Sequence, residues 1–233
     1  TIREEGLPWD SYYLYKWKGI FQSQEEIDNA PLHQYDPEPG DLRYEDISGP
    51  NDVPDGKIDQ YDRTVIDGKY PKIEYGANLS FEWKNFDVSV FLHGSYGRKL
   101  PVFLWGYEPF YQEGRPSTMW RDRWTPENPS TTMPRLYMPG EHPAISPNSS
   151  ATSTYYLQDA SYFRLKNLQL GYSIPFNTSN KIGAKDIRLY LSGDNLFVIT
   201  NFYKGGDPER ASGGWFGKYG QIRILSIGAK INF

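Results

Sequence analysis

Six positions carry the clearest chemical pattern in the sequence: Asp55-Gly56-Lys57-Ile58-Asp59, then Asp62. A hard divalent cation takes oxygen donors at alternate places of a short loop. Such a loop has glycine at its sharp turn and a backbone carbonyl donor one place later. Asp55, Gly56, Lys57 (through its carbonyl), Asp59 and Asp62 match the second half of that arrangement. Strict spacing puts Asn51 at the opening place and Val53, which has no donor side chain, two residues on. The closing residue is Asp62 and not the bidentate glutamate of tight sensor sites. Calcium, or magnesium, is the ion these donors imply. The same residues also read as an Asp/Gly-rich turn ordered by its own hydrogen bonds.

A second candidate is aromatic. Trp105, Tyr107, Phe110, Tyr111, Trp120 and Trp124 fall in one long stretch, with Arg121 and Arg123 among them. Ring faces beside polar groups suit sugar rings, peptides or a partner's surface. A loop of that length also folds on itself, and the same rings would then pack it. Catalysis has little to stand on. His33, His93 and His142 are far apart, no nucleophile or phosphate-binding motif is present, and no carboxylate pair stands out. The expectation is a protein that is not an enzyme and uses no organic cofactor. There is no cysteine, which excludes disulfides and thiol chemistry. The net charge of -4 provides no basic field for nucleic acid.

The elements that must position these residues are strands. Residues 221–233 alternate strictly: Leu225, Ile227, Ala229, Ile231 and Phe233 on one face, Ser226, Gly228, Lys230 and Asn232 on the other. Period 2 marks a strand with one apolar and one polar face. Asp186–Thr200 alternates likewise through Ile187, Leu189 and Leu191, and Ser161–Pro175 through Leu168, Leu170, Tyr172 and Ile174. Lys72–Trp83 and Phe86–Tyr96 flank Lys84-Asn85 as a hairpin. Tyr12–Gln22 is a sixth, less regular candidate. One short helix is expected over Gln24–Asn29, where Ser23 and Glu26 have capping-box spacing.

Six alternating strands put every long connection at one end and both short ones at the other. That is the layout of a transmembrane β-barrel, with short periplasmic turns and long outer loops. Composition agrees. Hydrophobic residues are 38% and mean hydropathy is -0.69, because each strand turns only half its residues to lipid. Aromatics reach 16%, too many for a disordered chain. An antiparallel soluble sheet also alternates. The competing expectation is therefore a secreted β-rich module that binds carbohydrate in a calcium-dependent way.

Several stretches together resemble one family. DGKIDQYDRTVIDG (55–68), YGANLSFEWKNFDVSVFLHGSYG (75–97), WTPENP (124–129), YLQDASYFRLKNLQLGYSIP (156–175), RLYLSGDNLFVIT (188–200) and the terminal Phe233 are similar to the C-terminal segment of SusC/RagA-type TonB-dependent transporters of Bacteroidetes outer membranes. The resemblance runs from about Tyr12 to the end. It implies an all-β fold: an antiparallel, up-and-down transmembrane barrel segment, about six strands of roughly 22. The whole of 1–233 would be barrel wall and extracellular loops, with the plug domain and TonB box absent from this chain. It also implies nutrient import as the activity, with oligosaccharide or peptide cargo. The implied partners are a SusD-like surface lipoprotein, the rest of the barrel and plug, TonB through that plug, and outer-membrane lipid. In the acidic loop the family pattern implies another alignment, with Asp46 and Ser48 at the first and third places and Gly49–Pro54 as an insertion. Ile227, Ala229, Ile231 and Phe233 resemble the terminal signal read by the barrel assembly machinery.

Overall fold

The computed structural model describes residues 1–33, 36–102, 109–110, 114–137, 153–209 and 220–233. In chain order the first strands are β1 (Tyr12–Tyr15), β2 (Trp17–Ile20), β3 (Leu32–His33), β4 (Leu42–Tyr44), β5 (Lys57–Ile58) and β6 (Arg63–Ile66), with helix α1 (Gln24–Asp28) after β2. The hairpin β7 (Ile73–Trp83) and β8 (Phe86–Tyr96) follows, then the short β9 (Lys99–Pro101) and β10 (Leu157–Asp159). The chain ends with β11 (Tyr162–Ser173), helix α2 (Phe176–Ser179), β12 (Asp186–Thr200) and β13 (Ile224–Asn232). The described residues form two compact units. One is built from Thr1–Tyr70 and residues 99–158, the other from Pro71–Arg98 and residues 159–209 and 220–233.

The first unit holds the irregular chain. Tyr12–Gln22 was expected to be a sixth wall strand, and this is corrected. It breaks at Lys16 into β1, which pairs with β6, and β2, which pairs with β4. Two features cause the break. Gly19 takes a φ of 147° at a register shift in β2, and Tyr12, Leu14 and Tyr15 are all buried, so burial does not alternate. These side chains form a core with Phe21, Leu42 and Tyr44, where the Tyr15 and Tyr44 rings stack 5.3 Å apart. Helix α1 begins as expected: Ser23 Oγ accepts from Glu26 N at 3.3 Å, and Glu26 reaches back to accept from Gln22 N at 2.8 Å. The 133–137 segment is tied in by Asp41, which is fully buried and accepts from Arg135 Nε at 2.8 Å and from the Tyr137 hydroxyl at 2.6 Å.

The second unit is one antiparallel five-stranded sheet in the order β13–β12–β11–β8–β7. Its strands have the expected bounds to within a few residues. Helix α2, in the β11–β12 connection behind Pro175, is a second α-helix among the described residues where a single helix was expected. Lys84, at a φ of 53°, closes the β7–β8 turn. At one bulge Lys166 of β11 stands opposite Asn195 and Leu196 of β12. The turn at 84–85 and the α2 connection lie at one end of the sheet. The strand ends that lead into 97–161 and 201–223 lie at the other. Among the described residues no helix is long and apolar enough to cross a membrane.

Candidate functional site

The register sorts the sheet into two faces. Tyr75, Leu79 and Phe81 of β7 sit opposite Gly94, Val90 and Val88 of β8, which continue to Phe163, Leu168 and Leu170 of β11. Leu170 continues to Leu191 of β12 and Ile227 of β13. Every row of this face is apolar, and the face is open: Phe81 is 66% exposed and Ile227 84%. Ile187 departs from this, being 7% exposed. A groove of 430 Å³ lies on this face between Phe86, Tyr172, Leu191 and Ile227. In a soluble sandwich these side chains would form a core. Here they are exposed, and at this extent an open apolar face marks lipid or a partner. Tyr75 and Tyr96 lie toward the long-loop end, and Trp83, Phe86 and Tyr172 toward the other, as in the two aromatic girdles of a barrel.

The opposite face is polar and cross-linked. Arg188 of β12 donates through Nε to Asp87 of β8 at 2.9 Å, with a second short contact through Nη2, which also donates to Gln169 of β11 at 3.0 Å. This bridge passes over Gly171, where a Cβ would collide with both charged groups. Asn167 donates to Asp194 at 2.7 Å, and the Tyr162 hydroxyl lies 3.0 Å from His93 Nδ1. Nearer the long loops, Arg164 and Lys166 pair with Asp207 and Glu209. Polar residues were expected on this face. The ion pairs were not, because Asp87 and Arg188 are separated by 101 residues and only register joins them.

The acidic loop is held by its own backbone. Asp62 is fully buried and its carboxylate accepts from Ile47 N (2.8 Å), Ser48 N (3.2 Å) and Asp59 N (2.8 Å). Asp59 returns an acceptor to Tyr61 N, Asp55 to Lys57 N, and Asp46 Oδ2 to Gly56 N. Asn51 sits in the exposed turn that precedes this set. Among the described residues no three His, Asp or Glu side chains converge as a metal-holding group. Asp46 Oδ1 is buried without a hydrogen-bond partner. His33 is also buried, against the rings of Phe21 and Tyr44, with neither ring nitrogen hydrogen-bonded. Burial, and then the nearby Arg43, lower its pKa to about 4, while Asp62 pulls it the other way.

Of the aromatic stretch, Trp105, Tyr107 and Tyr111 lie outside the described residues, as does His142. Phe110 is half-buried at a left-handed φ of 60°. Trp120 is buried. The Trp124 ring covers Gly40, and its indole N–H donates to Gln22 at 3.2 Å. These two tryptophans therefore frame the loop. A hollow of 260 Å³ opens beside Trp120 between Arg121 and Arg123. In β13, Ile227, Ala229 and Ile231 share the apolar face, and Phe233 is exposed beyond it, its backbone oxygen accepting from Lys185 Nζ at 2.9 Å.

An antiparallel sheet with one open apolar face, one cross-linked polar face and long connections leaving a single end defines a stretch of transmembrane β-barrel wall. Sequence likeness gives the particular kind. The whole chain aligns at 30% identity with TonB-dependent receptor P3 of Formosa agariphila, covering 23% of that protein. It aligns over 76% of its length at 27% identity with TonB-dependent receptor SusC of Bacteroides thetaiotaomicron, covering 17% of it. The fold superposes on the RagAB peptide importer in its open-open state with a TM-score of 0.70, at 22% identity, over the whole of this chain and 24% of that one. No protein-family model matches. The chain is homologous to the TonB-dependent receptors, and its place is the outer membrane. It spans about a quarter or less of the length of these relatives.

Proposed function

We propose that the chain is the C-terminal wall and outer loops of a TonB-dependent nutrient importer, carrying oligosaccharides or peptides. The open apolar face running through all five strands supports this best. Lipid covers that face, and the polar face lines the lumen. The chain's own work is passive: its strands hold the wall in the bilayer and its loops contact cargo or a SusD-like surface lipoprotein. Trp105, Tyr107, Phe110 and Tyr111 are the rings proposed for that contact. Energy comes from TonB acting through a plug elsewhere in the protein. Ile227, Ala229, Ile231 and Phe233 act as the assembly signal. One of the similar structures is named a peptide importer, which is the motive for testing peptides first.

The experiment is uptake by cells whose only copy of the transporter is the full-length protein. Uptake should need TonB, and the protein should leave the membrane only with detergent. Extraction by salt alone would refute the proposal. Calcium at the acidic loop is a separate proposal, carried by the sequence pattern and by Asp46 Oδ1, a buried carboxylate oxygen without a hydrogen-bond partner. Calcium at about 1 mM, the range of extracellular sites, should raise the full-length protein's melting temperature, and Asp46→Ala should abolish the rise. No rise in wild type refutes it.

A further inference from the structure

Asp207 and Glu209 meet the polar face of β11 in different ways. Asp207 is fixed from several sides. Its Oδ1 accepts from Arg164 Nη2 at 2.8 Å and from Glu209 N at 3.0 Å, and its Oδ2 accepts from Gln221 N at 2.8 Å. It thereby ties both described arms of the β12–β13 connection to the wall. Among the described residues the Glu209 carboxylate has side-chain partners only. Its carboxylate accepts from Lys166 Nζ at 2.5 and 2.7 Å and lies 3.4 Å from Arg164 Nε. Arg164 is 3% exposed, and that Nε has no hydrogen bond. Glu209 is 22% exposed, and it faces a buried Arg164 and a part-buried Lys166.

We infer that Arg164 and Lys166 form a binding site for a carboxylate on the cargo, which Glu209 occupies until cargo displaces it. Among the described residues, removing Glu209 from the pair breaks no backbone hydrogen bond of its carboxylate, and Asp207 keeps the connection in place. A guanidinium and an ammonium converging on one carboxylate make a charge-assisted site, stronger than a neutral one. The unbonded Nε gives an incoming carboxylate a contact that Glu209 leaves unmade. The chemistry recognised is a carboxylate, supplied by a peptide C-terminus or by a uronic acid sugar. This inference rests on the reading of the polar face as the lumen.

The test uses the full-length transporter in detergent at low salt, with calorimetric titration of two probe pairs. One pair is tetra-alanine and its C-terminal amide; the other is trigalacturonate and maltotriose. In Glu209→Gln the carboxylate member of one pair should bind at least about tenfold more tightly than its neutral counterpart, and the pair that responds identifies the source. Wild type should show the same preference, weakened by competition from Glu209. Adding Lys166→Met to Glu209→Gln should remove it. Equal binding of both members of both pairs in Glu209→Gln overturns the inference, as does a preference that Glu209→Gln leaves unchanged from wild type. Detergent dependence of the same preparation separates the two claims. A detergent-dependent protein without carboxylate preference sinks this inference alone, whereas extraction without detergent sinks the lumen reading beneath it.

Discussion

Leu79 and Ser80 are neighbours on β7 that point to opposite faces, and a lysine at each separates lipid from water. Leu79 lies four residues from Tyr75 and four from Trp83. At about 3.4 Å per residue that is roughly 14 Å of strand to either aromatic. A barrel tilt of about 40° makes it about 10 Å of depth on each side, close to the bilayer midplane. A lysine there costs about 2–4 kcal/mol, a factor of roughly 30 to 800 in the folded population. Ser80→Lys, on the polar face, should stay within about 0.5 kcal/mol. The assay is urea unfolding of the full-length protein in lipid vesicles, with tryptophan fluorescence as the signal. If the apolar face were in water, Leu79→Lys would be near neutral, since Leu79 is already exposed. Equal stability of the two variants refutes the membrane assignment.

Three further outcomes are expected. Gly171→Val should drive the Asp87–Arg188 bridge apart and cost about 1–3 kcal/mol; combined with Arg188→Met the losses should be less than additive in the same unfolding assay. Asp62→Ala leaves the amides of Ile47, Ser48 and Asp59 without their acceptor and should cost about 3 kcal/mol locally, read as lost hydrogen-exchange protection at Ile47 and Ser48. His33 gives a pH dependence. Because its folded pKa lies below the ordinary histidine value of 6.5, the stabilisation is complete above that pH. It declines as pH falls toward about 4, where the unfolded chain takes up the proton that the folded one refuses. The loss should reach about 3 kcal/mol, seen as faster proteolysis of 21–44 in the full-length protein, and His33→Phe should flatten the profile.

What could be read from the residues was what is local. Alternation in Lys72–Trp83, Phe86–Tyr96, Ser161–Pro175, Asp186–Thr200 and 221–233 assigned each side chain to a face, because a strand's two-residue period needs no partner to exist. The Ser23–Glu26 cap was legible for the same reason. Tyr12–Gln22 misled because its aromatic density looked like a strand while its burial did not alternate, which only the core around Tyr15 and Leu42 decides. The acidic residues were legible as a loop with oxygen donors. Where those donors point was not, since Asp62 turns inward to amides fourteen and fifteen residues earlier.

The sequence by itself determined two chemically opposite faces and the positions of the turns. Tertiary structure decided which residues on those faces meet. Register alone places Arg188 over Gly171 against Asp87, and brings the β12–β13 connection to Arg164 and Lys166. Alternation is a property of one strand, whereas these ion pairs are properties of strands side by side, and one residue of slip would turn every partner to the other face.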